Sequence, residues 1–213
     1  TGIGGNADPP DDVYNGSDIR VDSRYANISE NFYGSHVFVH ELGHALGLKH
    51  PSSEPSAGSG HVAPAPYLPD SEDVGTWTQM TYNASNSERE FQFRPLDIAA
   101  LQYIYGPSKT ERIGDDTYYI DSDAPNFIWD GDGTDTIDAS SLGERLTLHL
   151  NAGYHDFIGE SANELITAPG QITINFGSVI ENLKGTSFSD DLYGNELDNE
   201  IQGNAGNDTI FGG

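Results

Sequence analysis

Two histidines and a glutamate at helical spacing are the residues of this sequence best suited to chemistry. The segment His40-Glu41-Leu42-Gly43-His44 holds two imidazoles four residues apart. On a helix both rings project from one face, within one turn of each other, and Glu41 lies beside them. A bare H-E-x-x-H also occurs by chance in helices, where its histidines are surface or capped core groups. The spacing alone therefore supports a metal site and an ordinary helix face about equally.

The residues that follow complete a set of three zinc ligands. A catalytic zinc site needs three protein ligands at about 2.0–2.2 Å and an open position for water. The helix must end before a third ligand can join, and Gly47 can adopt the left-handed conformation that turns the chain back. His50 comes three residues later, and Pro51 blocks any resumption of helix. The pattern H-E-x-x-H-x-x-G-x-x-H is the extended zinc motif of the metzincins, so it predicts one zinc ion bound by His40, His44 and His50.

This ligand set predicts hydrolysis of a peptide bond. Three neutral imidazoles leave zinc strongly Lewis acidic, so a zinc-bound water loses its proton near neutral pH, with Glu41 as the general base. The hydroxide attacks a carbonyl polarised by the same metal, and Glu41 delivers the proton to the leaving amine. The alternative role of Glu41, a solvated helix carboxylate, is disfavoured at this position.

The only methionine, Met80, lies in the segment Gln79-Met80-Thr81-Tyr82. A lone methionine is usually core filler, but this one matches the Met-turn, which in metzincins passes beneath the zinc as an apolar floor. With the zinc motif, the segment makes the sequence resemble the serralysin family, secreted bacterial zinc proteases that carry calcium-binding RTX repeats. The resemblance implies that Tyr82 lies near the zinc, as a fourth ligand or as a phenol that stabilises the oxyanion. A core tyrosine is the alternative.

The resemblance covers the chain from about Asp18 to its last residue. Residues 39–51, 80–82, 97–106, 129–138 and 180–182 carry it. Only 39 residues precede His40, whereas the family has a longer N-terminal part that forms the upper wall of the cleft. The chain also ends inside a repeat, before the family's secretion signal. We therefore expect a fragment, with a missing N-terminal segment of the same protein as a partner.

Two helices are predicted to position the zinc residues. Apolar residues over 35–46 predict the helix that carries the motif, after a loop with one or two short strands. Residues 51–76 form a loop rich in proline, serine, glycine and alanine. A second helix is predicted over 95–105, with Pro95 in its first turn and Gly106 after its end. Helix signals vanish beyond this point, which predicts a domain boundary near 107–111.

A nine-residue period dominates the C-terminal segment. Successive units begin at Gly185, Gly194 and Gly203, Gly212 opens a fourth, and residues 130–138 fit the same frame. The period matches the G-G-x-G-x-D-x-U-x calcium-binding nonapeptide of parallel β-rolls. The aliphatic eighth position is expected to point inside the roll, at Ile137, Leu192, Ile201 and Ile210. The alternative is that these turns of Asp, Asn and Gly bind no metal. A nine-residue period that continues over three units disfavours this alternative.

The resemblance implies several calcium ions. Calcium suits the turns of a β-roll because it accepts six to eight hard oxygens in loose geometry. A linker site would use Arg112, Gly114, Asp116, Asp130, Asp132 and Asp135. A neighbouring site would use Gly133, Asp135, Val179 and Glu181, with Val179 contributing its carbonyl. Repeat sites would use Thr186, Phe188 and Asp190; Asn195, Leu197 and Asn199; and Asn204, Gly206 and Asp208. Asn199 lacks the charge of the aspartates at the same repeat position, which predicts a weaker site.

An EF-hand is excluded as the source of the acidic segment at Asp130 and Asp132. Glycine falls at the fourth rather than the sixth position of that loop, and Ser141 stands where a bidentate glutamate should be.

The charge of the chain favours cations as partners. With 34 acidic against 9 basic residues the formal net charge is -25, so nucleic acid and anionic membranes would be repelled. The sequence has no cysteine, so any metal must use histidine, carboxylate or backbone oxygen. The sequence has no run of 18 or more apolar residues, so it predicts no membrane-spanning segment.

These observations predict an α+β fold followed by an all-β one. Residues 1–107 would be the C-terminal portion of a metzincin-like zinc protease domain, and 108–213 a truncated RTX parallel β-roll. The predicted function is a monomeric, calcium-stabilised zinc endopeptidase that cleaves proteins or peptides, and calcium removal is expected to unfold the C-terminal half. Family resemblance implies type I secretion from a bacterium. The alternatives are a noncatalytic calcium-binding RTX module and an inactive autolysis fragment.

Overall fold

The computed structural model describes residues 5–7, 18–25, 32–53, 64–85 and 91–213. It is a mixed helix and sheet structure in which most strand pairs are parallel. The chain divides into two compact units, Thr1–Leu101 and Gln102–Gly213. No helix in the described ranges is long and apolar enough to cross a membrane.

The first unit is organised around the helix that carries the histidines. Strands β1 (Gly5–Ala7) and β2 (Ile19–Val21) pair antiparallel, a 3-10 turn follows at Ser23–Tyr25, and helix α1 spans Phe32–Ala45. The helix begins three residues earlier than the apolar pattern predicts. It ends in a Schellman motif: the Leu48 N–H donates to the Gly43 carbonyl and the Gly47 N–H to the His44 carbonyl. Gly47 has φ = 94°, so the predicted left-handed stop is confirmed.

Helix α2 spans Pro95–Tyr105, the range that the sequence predicts. Proline occupies the first helical position, where no N–H is needed. The Asp97 carboxylate accepts a hydrogen bond from the Arg94 N–H at 2.9 Å, which closes the N-terminal cap. Gly106, with φ = 80°, ends the helix.

The second unit contains ten short strands in two sheets. The strands are β3 (Thr117–Tyr119), β4 (Asn126–Ile128), β5 (Thr136–Asp138), β6 (Leu146–His149), β7 (His155–Ile158), β8 (Gln171–Ile174), β9 (Asn182–Lys184), β10 (Asp191–Tyr193), β11 (Glu200–Gln202) and β12 (Thr209–Phe211). One sheet has the order β12-β10-β6-β7-β8-β4 and the other β11-β9-β5-β3. Pairing is parallel throughout except where β7 meets β6 and β8. Strands from successive nine-residue units alternate between the two sheets.

The core of the second unit is a continuous cluster of leucine and isoleucine. Ile137, Leu183 and Leu192 are fully buried within it, and Ile201 packs against it. Ile210 is 46% exposed, because β12 is an edge strand with β10 as its one neighbour. The eighth repeat position is therefore fully buried at Ile137 and Leu192, as the sequence predicts, but not at Ile210 in the edge strand β12.

Candidate metal centre

Helix α1 and the turn that ends it bring three imidazoles together. His40 and His44 lie one helical turn apart, and the reversal at Gly47 returns the chain so that His50 reaches both. The His50 Nε2 atom lies 3.0 Å from the Nε2 atom of His40 and 3.0 Å from that of His44. All three ligand atoms lie within 4.8 Å of one another.

Backbone carbonyls set the tautomers of two of these rings. His40 Nδ1 lies 2.9 Å from the Gln79 carbonyl oxygen, and His44 Nδ1 lies 2.9 Å from that of Leu48. A carbonyl can only accept a hydrogen bond, so each Nδ1 carries the proton and each Nε2 keeps its lone pair. Metal-ligating histidines use this arrangement to hold ring orientation.

The converging nitrogens fit a cation between them. A zinc ion accepts imidazole nitrogen at about 2.0–2.1 Å, so three nitrogens within 4.8 Å of one another can surround one ion. Burial, with the neighbouring His44, lowers the pKa of His40 to about 3, and burial likewise lowers the pKa of His50 to about 4. Burial also lowers the pKa of His44. All three rings are therefore neutral near pH 7, the protonation state that a metal ligand requires.

Glu41 is a buried carboxylate that follows His40 directly on α1. It is 7% exposed, and its carboxylate accepts a hydrogen bond from the backbone N–H of Ala7 in β1. Burial raises the pKa of Glu41 to about 7, because desolvation disfavours the charged form. A carboxyl that titrates near the working pH is suited to accept and return a proton.

Met80 and Tyr82 both lie against the histidine cluster. Met80 is 2% exposed, and a Cβ on Gly43 would collide with its sulfur. The methionine therefore packs under α1, on the turn between His40 and His44. The Tyr82 ring centroid lies 4.3 Å from that of His50 and 5.9 Å from that of His40, and the side chain is partly open to solvent.

Three buried residues around this cluster carry polar contacts that sequence reasoning missed. Gln79 is hydrogen-bonded to His36 through its side chain, and the Asp97 carboxylate accepts from the Gln79 N–H. The aspartate at the third position of a predicted helix is a capping signal that could have singled out Asp97. No local signal marks Gln79, because its partners lie 18 to 43 residues away.

A second titratable cluster lies in the other unit, where three of the predicted linker ligands meet. Carboxylate oxygens of Asp116, Asp130 and Asp135 lie within 4.8 Å of one another. Asp130 and Asp135 are buried, and one Asp135 oxygen has no hydrogen-bond partner. Burial, with the neighbouring Asp130 and Glu181, raises the pKa of Asp135 to about 7. Carboxylates gathered this closely fit a cation, because without one they repel.

The backbone of the remaining predicted linker residues makes close contacts with residues 131–133. The Arg112 carbonyl accepts hydrogen bonds from the Gly131 and Asp132 N–H groups. Gly133 lies directly against the Gly114 carbonyl, with no room for a Cβ. From the neighbouring predicted site, Glu181 accepts a hydrogen bond from the Asp135 N–H at 2.7 Å, and Val179 is 44% exposed.

Two of the predicted repeat turns stack on each other. The Thr186 N–H donates to the Asp190 carboxylate at 2.7 Å, and the Asp190 N–H donates to Asp208 at 3.0 Å. Gly206 lies directly against the Phe188 carbonyl, and the Asn204 amide donates to the Gly185 carbonyl at 2.7 Å. Residues 186–190 and 204–208 therefore face each other across adjacent turns.

The third predicted repeat turn differs because an amide takes the place of a carboxylate. Asn199 Nδ2 donates to the Glu181 carbonyl and to Asn195 Oδ1, both at 2.9 Å. Asn195 Oδ1 also accepts from the Leu197 N–H at 3.1 Å. Two oxygens suited to calcium are thus already occupied by a donor within this turn.

Of the other histidines in the described ranges, His149 and His155 belong to the second unit and His36 to α1. His149 stacks between Tyr154 and Tyr193, and His155 is hydrogen-bonded to Thr173. His36 is buried in α1 one turn before His40. His61 lies outside the described residues.

Comparison with known proteins finds a consistent set of relatives. The chain is 35% identical over 200 residues to serralysin B of Dickeya chrysanthemi, which covers 84% of this chain and 39% of the relative. It is 33% identical over 200 residues to the metallopeptidase AprA of Pseudomonas marginalis, covering 81% and 39%. A serralysin of Photorhabdus luminescens is 32% identical over 202 residues, covering 83% and 39%. No protein-family model matches the chain.

These relatives are longer than the sequence. The chain spans about two-fifths of the length of each. The name of the AprA relative describes a metallopeptidase, which implies a metal cofactor, and the cluster of His40, His44 and His50 provides a set of residues that could hold one.

Proposed function

The chain is a homologue of the serralysin metallopeptidases over about four-fifths of its length, and from this premise we propose that it carries the active site of a zinc endopeptidase. The substrate would be a protein or peptide. The observation that carries the proposal is the convergence of the Nε2 atoms of His40, His44 and His50, with a buried glutamate next to His40 on α1.

His40, His44 and His50 would hold one zinc ion. When bound, zinc supplies Lewis acidity toward a water and a peptide carbonyl. The carbonyls of Gln79 and Leu48 orient the first two rings, so the ligands are arranged before the ion arrives.

Glu41 would act as the general base. It accepts a proton from the attacking water and returns it to the amine nitrogen that leaves when the peptide bond breaks. Its position on α1 next to His40 supports this role, as does its burial, which keeps bulk water from competing for the proton.

Tyr82 would act as a hydrogen-bond donor to the oxyanion that forms on the substrate carbonyl. Its ring lies beside His40 and His50 and remains open to solvent on one side. A phenol in this location can reach a bound peptide without blocking it. Met80, with Gly47 and the helix end, would support the ligands from below.

The two parts of the chain would serve this activity differently. Residues 1–107 would belong to a metzincin-type protease domain, and 108–213 to a parallel β-roll. The alternation of successive nine-residue strands between two sheets supports the β-roll. The limits of the two domains stay predictions.

Several calcium ions would stabilise the second part. The carboxylates of Asp116, Asp130 and Asp135 form the strongest candidate site, because one buried oxygen there has no partner. The proposed surroundings are Arg112, Gly114 and Asp132, with Gly133, Val179 and Glu181 at the neighbouring site. The stacked turns that contain Asp190 and Asp208 would hold further ions between them, through Thr186, Phe188, Asn204 and Gly206.

Context for this activity follows from the family. We propose a secreted, monomeric bacterial protein exported by the type I route, in which an N-terminal segment completes the substrate cleft. The charge of -25 supports calcium rather than nucleic acid or anionic membrane as its partner.

Hydrolysis of unfolded casein by the zinc-loaded protein tests the proposal. The Glu41→Gln variant is expected to lose activity by a factor on the order of 10²–10⁴, the usual contribution of a general base. The matched control is Glu160→Gln, because the Glu160 side chain is 85% exposed and lies in the second unit.

The control variant is expected to keep the activity of the wild type. A chelator should abolish the activity of both proteins. Zinc bound at full occupancy without any hydrolysis by the wild type would contradict the proposal and favour a noncatalytic calcium-binding module or an inactive autolysis fragment.

A further inference from the structure

Gln79 connects the histidine helix to the start of α2 through its backbone N–H, its carbonyl and its side-chain Nε2. Its carbonyl accepts from His40 Nδ1 at 2.9 Å, its side-chain Nε2 lies 2.9 Å from His36 Nδ1, and its N–H donates to Asp97 at 2.7 Å. The residue is 1% exposed. Paired polar groups in a buried network rigidify their surroundings.

The side-chain contact with His36 has one consistent proton arrangement. An amide Nε2 can only donate, so His36 Nδ1 must accept and its ring must carry the proton on Nε2. His36 lies one turn before His40 on α1, and their ring centroids are 6.1 Å apart. Gln79 thus contacts two successive turns of the same helix, with its carbonyl at one and its amide at the other.

Asp97 holds the Gln79 peptide from the opposite side. Its two oxygens accept from the Thr78 hydroxyl and the Gln79 N–H, both at 2.7 Å, and one also caps α2. The same Thr78 hydroxyl oxygen accepts from the Met80 N–H at 3.0 Å. The carboxylate is 3% exposed, so water does not compete for these bonds.

We propose that Gln79 is the positioning residue of the metal centre, which orients His40 through a carbonyl held in place by His36 on one side and Asp97 on the other. This inference rests on the proposed zinc site. Gln79 does not touch the metal or the substrate, and acts through the ring of His40. Residues that orient a ligand in this way typically change metal affinity by about 10–100-fold when replaced.

Protonation of the histidine rings tests the geometry without any metal. Long-range ¹H–¹⁵N spectra of the metal-free protein are expected to show His40 protonated on Nδ1 and His36 protonated on Nε2. His40 protonated on Nε2 instead would overturn the inference, because its Nδ1 could then not donate to Gln79.

Zinc affinity of two variants tests the consequence. Gln79→Leu removes the amide and keeps the carbonyl, and we expect a loss of about tenfold. Asp97→Asn places a donor against the Thr78 hydroxyl or the Gln79 N–H, and we expect a loss between about 10-fold and 100-fold. The cobalt-substituted variants should also show an altered ligand-field spectrum, which a uniform loss of stability would not cause.

Asp156→Asn is the matched control. Asp156 is a buried aspartate of the second unit that, like Asp97, accepts from a backbone N–H, here that of His149, and it accepts from the His149 ring as well. The zinc affinity of the Asp156→Asn variant should stay within about twofold of that of the wild type. Failure of the wild type to bind zinc would contradict the proposed function, whereas wild-type binding that neither test substitution weakens would overturn the inference alone.

Discussion

Gly43 lies on the face of α1 that meets Met80, between two of the proposed ligands. A Cβ at this position would overlap the methionine sulfur, so the close approach of the turn below the helix depends on glycine. Glycine normally weakens a helix by about 1 kcal/mol relative to alanine. Its presence here is explained by the packing under His40 and His44.

Replacing this glycine tests the packing. An exposed helix position would gain stability from Gly→Ala, but we expect Gly43→Ala to lose about 1–3 kcal/mol of unfolding free energy through overpacking. Chemical denaturation measures the change. Gly143→Ala is the control, because a Cβ there meets nothing within 4 Å. A Gly43→Ala variant as stable as the control would show that the methionine does not support the helix.

The convergence of His40, His44 and His50 could be predicted from sequence because it depends on local geometry. Two histidines at i and i+4 share a helix face whatever the fold, and a glycine followed by His50 signals the reversal. Gln79 and His36 could not be predicted in their roles. Their hydrogen bond joins residues 43 positions apart, and nothing local distinguishes that glutamine from a solvated one.

Among the elements, the repeat turns differ in one side-chain atom: Asn199 has an amide nitrogen where the aspartates of the other turns have a carboxylate oxygen. The Asn199 amide donates to the Glu181 carbonyl and to Asn195 Oδ1. A carboxylate in its place would bring oxygen against oxygen, which is stable only with a cation between. The sequence predicts a weakened site here, and the amide contacts supply a physical reason.

Asn199→Asp should therefore make this turn dependent on calcium. Without calcium we expect the thermal midpoint of the variant to fall below that of the wild type, because two partly buried acceptors lose their donor. With saturating calcium the order should reverse, since ion binding stabilises the folded state.

Thermal unfolding followed by circular dichroism, with and without calcium, measures both midpoints. Asn207→Asp adds the same charge at an exposed position of the next turn and serves as the control. A variant that is destabilised equally in both conditions would contradict the account.

The helices were more predictable than the strand pairing. Helix α2 spans the predicted residues because Pro95 and Gly106 mark both ends, whereas α1 begins at Phe32, three residues before the apolar pattern on which its prediction rests. Strand β7 runs antiparallel between β6 and β8, and no repeat marks it. Its pairing depends on contacts between distant segments, which a local pattern does not encode.

At the scale of the whole molecule, the excess of carboxylates has two opposite consequences. A net charge of -25 destabilises any compact state by self-repulsion, and bound calcium would offset part of it. The same carboxylates can also attract zinc nonspecifically. Zinc content alone therefore does not distinguish a histidine site from an acidic surface, whereas the identity of the coordinating atoms does.

X-ray absorption at the zinc edge, on protein loaded with one equivalent of zinc in excess calcium, tests the central claim most directly. We predict three imidazole nitrogens and one further light atom at about 2.0–2.1 Å, and loss of the imidazole signal in His50→Ala. A first shell of oxygen alone, in wild type and variant alike, would show that the metal sits among carboxylates and would contradict the account.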